Sequence, residues 1–149
     1  MADRTSSSIA VSAGKADIMA VIADFERYPE WAEGVNAAEI VATGPKGRPE
    51  RVRFELDTGV FKDAYELGYE WGGDDEVSWR LVEPGSMLSA MHGAYRLAEK
   101  AQGTTEVTYE LAVDVKIPMI GMFKRKAEKK IIETALKGLK ERVETGEWT

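Results

Sequence analysis

The sequence predicts an α+β fold: a seven-stranded antiparallel sheet with one long C-terminal helix laid across it, and two short helices between the first and second strands. Three observations predict it. From Val35 to Lys116 apolar side chains recur with period two, in segments separated by turns, most of them rich in Gly, Pro or Asp. From Ile117 to Glu144 they recur at steps of three and four, the only long stretch that does so. Between Ala16 and Trp31 a shorter helical pattern is interrupted by Pro29.

Taken in order, residues 1–6 are polar and expected to be disordered. Ser8 to Ser12 alternates as a first strand with Ile9 and Val11 on one face, and Gly14 ends it. Ala16 to Phe25 places Ile18, Val21, Ile22 and Phe25 on one helical side. Pro29 disfavours helix at Tyr28 and then suits the first turn of a new one, giving helix, corner, helix with Tyr28 and Trp31 turned inward. Val35 to Thr43 is the next strand. Arg51 to Asp57 alternates strictly, with Val52, Phe54 and Leu56 on one face. Phe61 to Trp71 continues with Tyr65, Leu67, Tyr69 and Trp71 on one face, and Gly72-Gly73-Asp74-Asp75 reads as a hairpin turn. Val77, Trp79 and Leu81 share a face, as do Met91, Gly93, Tyr95 and Leu97 in Met87–Glu99, and Val107, Tyr109, Leu111, Val113 and Val115 in Thr105–Lys116. In the final helix, residues 121–144, Phe123, Ala127, Ile131 and Ala135 make one apolar seam together with Ile120 just before it. Ile132, Leu136, Leu139 and Val143 make a second beside it, a width suited to covering a sheet.

The chain of 149 residues is expected to form one domain, and no internal repeat or linker divides it. It has no cysteine, which excludes disulfides, thiolate nucleophiles and thiolate metal sites and fits a reducing cytoplasm. No apolar run approaches a membrane span, and the first residues lack an apolar signal core. A net charge of −6 argues against general nucleic-acid affinity. The charge is uneven: residues 121–144 carry eight Lys/Arg against four Glu, a local +4 that leaves −10 elsewhere. His92 is the only histidine, and alternation puts it opposite the aromatic face, so no metal site and no cofactor are expected. Phosphate-binding glycine loops and nucleophile elbows are also missing.

Two motifs carry a family resemblance. Ala23-Asp24-Phe25-Glu26-Arg27-Tyr28-Pro29-Glu30-Trp31 resembles the D-x-x-x-Y-P-x-W corner of the START-like (SRPBCC) superfamily, in its polyketide cyclase/dehydrase and coenzyme-Q-binding branch. Gly93-Ala94-Tyr95-Arg96-Leu97 with Gly103-Thr104-Thr105-Glu106-Val107-Thr108-Tyr109 is similar to that branch's penultimate hairpin. The order of elements resembles its helix-grip fold over nearly the whole chain. The tail from Pro118 to Glu128 resembles a subgroup of small cyclase/dehydrase-like proteins without an assigned role. The resemblance implies a curved sheet gripping the C-terminal helix around an elongated apolar cavity, where relatives hold lipids, quinones, sterols, plant hormones or aromatic polyketides.

The residues themselves supply an aromatic inward set that can line such a cavity: Trp31, Phe54, Tyr65, Tyr69, Trp71, Trp79, Met91, Tyr95, Tyr109, Met122 and Phe123. Gly93 on the same face leaves room, and Met119 to Phe123 with the turn at Gly59 would gate access. The competing reading is that these aromatics only fill a core. If there is a ligand, it is a hydrophobic or aromatic small molecule, with Tyr65, Tyr69 and Tyr109 as polar anchors. An aromatase/cyclase-like enzyme is the alternative. It is disfavoured because alternation sends Arg51, Arg53, Arg80, Arg96, Asp57, Glu66 and Glu70 to the wet face, leaving no catalytic residue to nominate. A third reading is a protein or membrane interaction module that uses the basic C-terminal helix. Met119, Met122 and Phe123 form an apolar tip followed by Lys124, Arg125 and Lys126, a pattern suited to transient contact with an anionic membrane.

Overall fold

In a computed structural model of the chain, the described residues are 5–32, 34–45, 47–57, 62–83, 88–115 and 121–145, without the side chains of 88, 115 and 121–124. Seven strands form one antiparallel sheet: β1 (Thr5–Val11), β2 (Val35–Thr43), β3 (Pro49–Asp57), β4 (Lys62–Gly72), β5 (Glu76–Glu83), β6 (Leu88–Ala101) and β7 (Thr104–Val115). Their order is β1-β7-β6-β5-β4-β3-β2, so the chain runs as a meander from β2 to β7 and the first strand closes beside the last. Left-handed glycines make two of the tight turns possible: Gly73 (φ 62°) between β4 and β5, and Gly103 (φ 77°) between β6 and β7.

Helix α1 (Lys15–Ala23) is shorter than the pattern from Ala16 to Phe25 suggests. Phe25–Arg27 forms a 3₁₀ turn, and α2 spans Tyr28–Trp31. Tyr28 itself is helical (φ −54°, ψ −39°) despite preceding Pro29. Its ring is pinned inward by a hydrogen bond from its hydroxyl to Ile22 O (2.5 Å), which holds the corner together. The expected disorder over residues 1–6 does not hold for Thr5 and Ser6, which pair with Leu111 and Glu110 of β7.

Helix α3 (Gly121–Thr145) lies against β1 and β7 and reaches α1 and α2. Its second seam is the buried one: Ile132, Leu136 and Leu139 are sealed, whereas Ile131 of the first seam is 45% exposed. Burying each such aliphatic side chain contributes roughly 1.5–3 kcal/mol. Gly138 allows the approach to α2, since a Cβ there would stand 2.9 Å from Trp31 O. Register shifts interrupt β2–β3, β4–β5 and β6–β7, the kind of irregularity that bends strands and increases sheet twist.

Candidate functional site

Alternation along β3 to β7 brings Phe54, Tyr65, Tyr69, Trp79, Tyr95 and Tyr109 to one face of the sheet, and all are buried. Their rings form two groups on the sheet, Phe54 with Tyr65, and Tyr69 through Trp79 and Tyr95 to Tyr109, bridged by Phe25, which meets both Phe54 (6.0 Å) and Tyr69. Phe54–Tyr65 (5.9 Å between centroids), Tyr69–Trp79 (5.8 Å), Trp79–Tyr95 (5.5 Å), Trp79–Tyr109 (5.4 Å) and Tyr95–Tyr109 (4.7 Å) run across the sheet. Phe25 joins Tyr69 (4.8 Å) and Tyr28 (4.9 Å), and Tyr28 joins Trp31 (4.8 Å), which ties the corner to the same cluster.

Two of the predicted residues lie at the margin of this arrangement, although the Trp71 ring still stacks on Tyr69 (5.9 Å). Trp71 is at the rim: its indole N–H donates to Pro49 O (2.6 Å), and the Arg48 guanidinium lies 5.1 Å over its ring. Met91 is half-buried, packed against the core from β6. The side chains of Met122, Phe123 and Lys124, together with Met119 and the Gly59 turn, lie outside the described residues. The room expected at Gly93 is taken. Trp79 pairs with Gly93 across β5 and β6 and lays its indole on it, so a Cβ there would fall 2.5 Å from the ring.

The tyrosines divide by what their hydroxyls do. Among the described residues, Tyr28 has a protein acceptor, while the phenol oxygens of Tyr65, Tyr69, Tyr95 and Tyr109 have none. No buried side-chain nitrogen or oxygen among the described residues is sealed without a partner. These four hydroxyls therefore retain accessible surface, and the residues keep 5–9% of theirs, whereas Ile18, Phe25 and Ile132 keep none. Burial is the first cause raising the pKa of all five, so each phenol stays protonated at neutral pH and is available to donate.

Charge does reach the apolar side, contrary to the expectation that no strand supplies any. Asp63 has the parity of Tyr65 on β4 and is buried. Its Oδ1 accepts from Ala64 N (2.9 Å), and its charge helps raise the Tyr65 phenol. The signal was present in the sequence, because Asp63 falls two residues before Tyr65 on the same alternating face. Glu66, sent to the wet face by the same parity, is also buried, 3.2 Å from the Arg51 guanidinium. Arg51, Arg53, Arg80 and Arg96 are exposed as expected, and so is His92.

Glu128 of α3 is 0% exposed. Its Oε1 accepts from Thr5 Oγ1 (2.7 Å) and its Oε2 from Val113 N (2.7 Å), so one carboxylate joins α3 to β1 and β7. Being sealed, it is a strut rather than a ligand contact. A surface groove of about 190 Å³ opens between the α1–α2 corner and α3, lined by Ala20, Val21, Asp24, Arg27, Trp31 and Arg142. Its charges are matched within the protein: Arg27 with Asp24 and Glu30 (both 3.3 Å), and Arg142 with Glu30 (3.1 Å). No group of three or more His, Asp or Glu converges among the described residues, and no described helix is long and apolar enough to cross a membrane.

The family model for polyketide cyclase / dehydrase and lipid transport matches residues 11–140. The chain belongs to that family. Among solved structures, it is similar to a START superfamily protein from Mycobacterium smegmatis, with TM-score 0.88 and 23% identity over 95% of this chain and 97% of that one. A protein from Thermus thermophilus matches with TM-score 0.78 and 21% identity, over 97% and 99% of the two chains. The Zhui aromatase/cyclase from Streptomyces sp. R1128 matches with TM-score 0.76 and 12% identity over the whole of both. These likenesses establish the START-like helix-grip fold. No curated protein matches the chain. The family's corner and hairpin motifs fall where the structure needs them: the first bends α1 into α2, and the second carries Tyr95 and Tyr109 into the aromatic cluster.

Proposed function

We propose that this protein binds a neutral hydrophobic or aromatic small molecule, such as a quinone, a polyketide-like compound or a lipid, between the aromatic face of the sheet and α3. The observation that carries this reading is the set of four phenols, Tyr65, Tyr69, Tyr95 and Tyr109. They are buried and protonated, and no described residue accepts their hydrogen bonds. A residue set that only fills a core is expected to satisfy its hydroxyls within the protein, as Tyr28 does. Four donors on apolar rings match a ligand with several carbonyl or hydroxyl oxygens on a flat skeleton. The wall residues are Phe54 and Trp79.

The test is native mass spectrometry of protein purified gently from its own host. The expected result is a mass above the 16.5 kDa chain by a small, extractable adduct, lost in Tyr69→Ala or Trp79→Ala. A bare chain, with no thermal shift from a panel of quinones, polyketides and lipids, sinks the proposal.

Asp63 supports a second reading, an aromatase/cyclase-like enzyme. In this reading the buried carboxylate on the tyrosine face would take a proton beside a ligand carbonyl while a phenol donates to the resulting enolate oxygen. That reading requires turnover of a poly-β-keto substrate that is abolished in Asp63→Asn with binding retained. Unchanged turnover in that variant removes it.

A further inference from the structure

We propose that the outward face of the first half of α3 docks the protein on an anionic lipid surface. The two halves of this helix use their cations differently. In the second half, Lys140 donates to Ala10 O (2.7 Å) and Glu144 (2.7 Å), and Arg142 pairs with Glu30 (3.1 Å), so these charges hold the fold together. In the first half, Arg125, Lys126 and Lys130 are exposed and make no ion pair among the described residues; Lys129 reaches only Glu133 of its own helix, at 4.0 Å. Lys137 continues the stripe of Lys126 and Lys130 along the outer face and is likewise exposed without an ion pair.

Folding does not explain this arrangement. The first turn of α3 holds no acidic residue, and cations there oppose the helix dipole. Among the described residues, none of Arg125, Lys126, Lys129, Lys130 and Lys137 reaches a carboxylate outside its own helix. A partner that brings negative charge would complement this stripe. Ile131, 45% exposed and following Lys130, points to which one. A bilayer offers anionic head groups to the lysines and an apolar layer to the isoleucine, while lysine stems lie along that layer with their heads in water. A nucleic acid offers the charge alone.

Cosedimentation of the full chain with phosphatidylcholine vesicles, with and without about 30% phosphatidylserine, tests this at low and high salt. Each cation near such a surface multiplies partition roughly fivefold. Binding is expected only with phosphatidylserine and only at low salt. Lys126→Glu/Lys130→Glu should lower it at least tenfold and Ile131→Ser a few-fold, while Lys100→Glu on β6 leaves it unchanged. Circular dichroism checks that each variant is folded. Absence of binding, equal binding to neutral vesicles, or full binding by the double charge reversal overturns the proposal. Salt-sensitive binding to an acidic polypeptide or nucleic acid in place of vesicles overturns it too. Small-molecule occupancy is read separately by native mass, so failure here leaves that reading untouched.

Discussion

Tyr28 and Tyr109 carry the same phenol into the same ring cluster and use it differently. The Tyr28 hydroxyl closes the helical corner by donating to Ile22 O, so Tyr28→Phe removes a buried hydrogen bond and leaves that carbonyl short of a donor. The expected cost is about 1 kcal/mol in urea unfolding. Tyr109→Phe keeps the ring against Trp79 and Tyr95 and removes a hydroxyl with no described protein partner, so its stability should stay within about 0.5 kcal/mol of the parent. Equal costs for the two would mean that the Tyr109 hydroxyl is bonded within the protein. Their inward direction was legible from alternation; the division between them was not, because a hydroxyl's partner is set by the third dimension. Asp63 was legible and missed. Strict parity places it with Tyr65, and its burial shows that a carboxylate follows the pleat like any other side chain.

At the scale of elements, period-two alternation located the strands, since one face of this sheet is covered and a slip of one residue would expose every aromatic at once. The seams of α3 were legible for the same reason, although only the packing against β1 and β7 decided that Ile132, rather than Ile131, is sealed. Helical spacing gives Glu128 no partner, because Ile132 rather than a cation stands four residues on. Its actual partners are Thr5 and the Val113 amide on two strands. The available signal was its place in the buried seam, four residues before Ile132 and eight before Leu136. This strut makes a clear prediction. Glu128→Ala strips acceptors from a buried amide and a hydroxyl and leaves a void, costing about 3 kcal/mol. Glu128→Gln keeps the shape, accepting from Val113 N through its amide oxygen and donating to Thr5 Oγ1 through its nitrogen, and should cost about 1 kcal/mol or less. Chemical denaturation of the two variants measures the difference; similar losses would mean that the carboxylate charge, rather than its hydrogen bonds, holds α3 in place.

Across the whole molecule, all five tyrosines are held protonated by burial, and this links the aromatic core to alkaline stability. An unfolded chain releases these protons near pH 10, whereas the folded chain keeps them to higher pH. Below about pH 10 both states are protonated and the contribution to stability is fully present. Above it the unfolded state binds fewer protons than the native state, so stability falls as pH rises. The net charge of −6 makes further deprotonation act in the same direction through repulsion. Phenolate absorbance should therefore stay low past pH 10 and then rise in one cooperative step, coincident with loss of the far-ultraviolet circular dichroism. A gradual rise from pH 10 with the circular dichroism intact would show that the phenols reach water in the native state. That outcome would make the aromatic face an open cleft rather than an enclosed binding space. The two-step alternative is equally diagnostic: a fraction of the tyrosines titrating early would identify those nearest the surface, with Tyr→Phe at positions 65, 69, 95 and 109 assigning them.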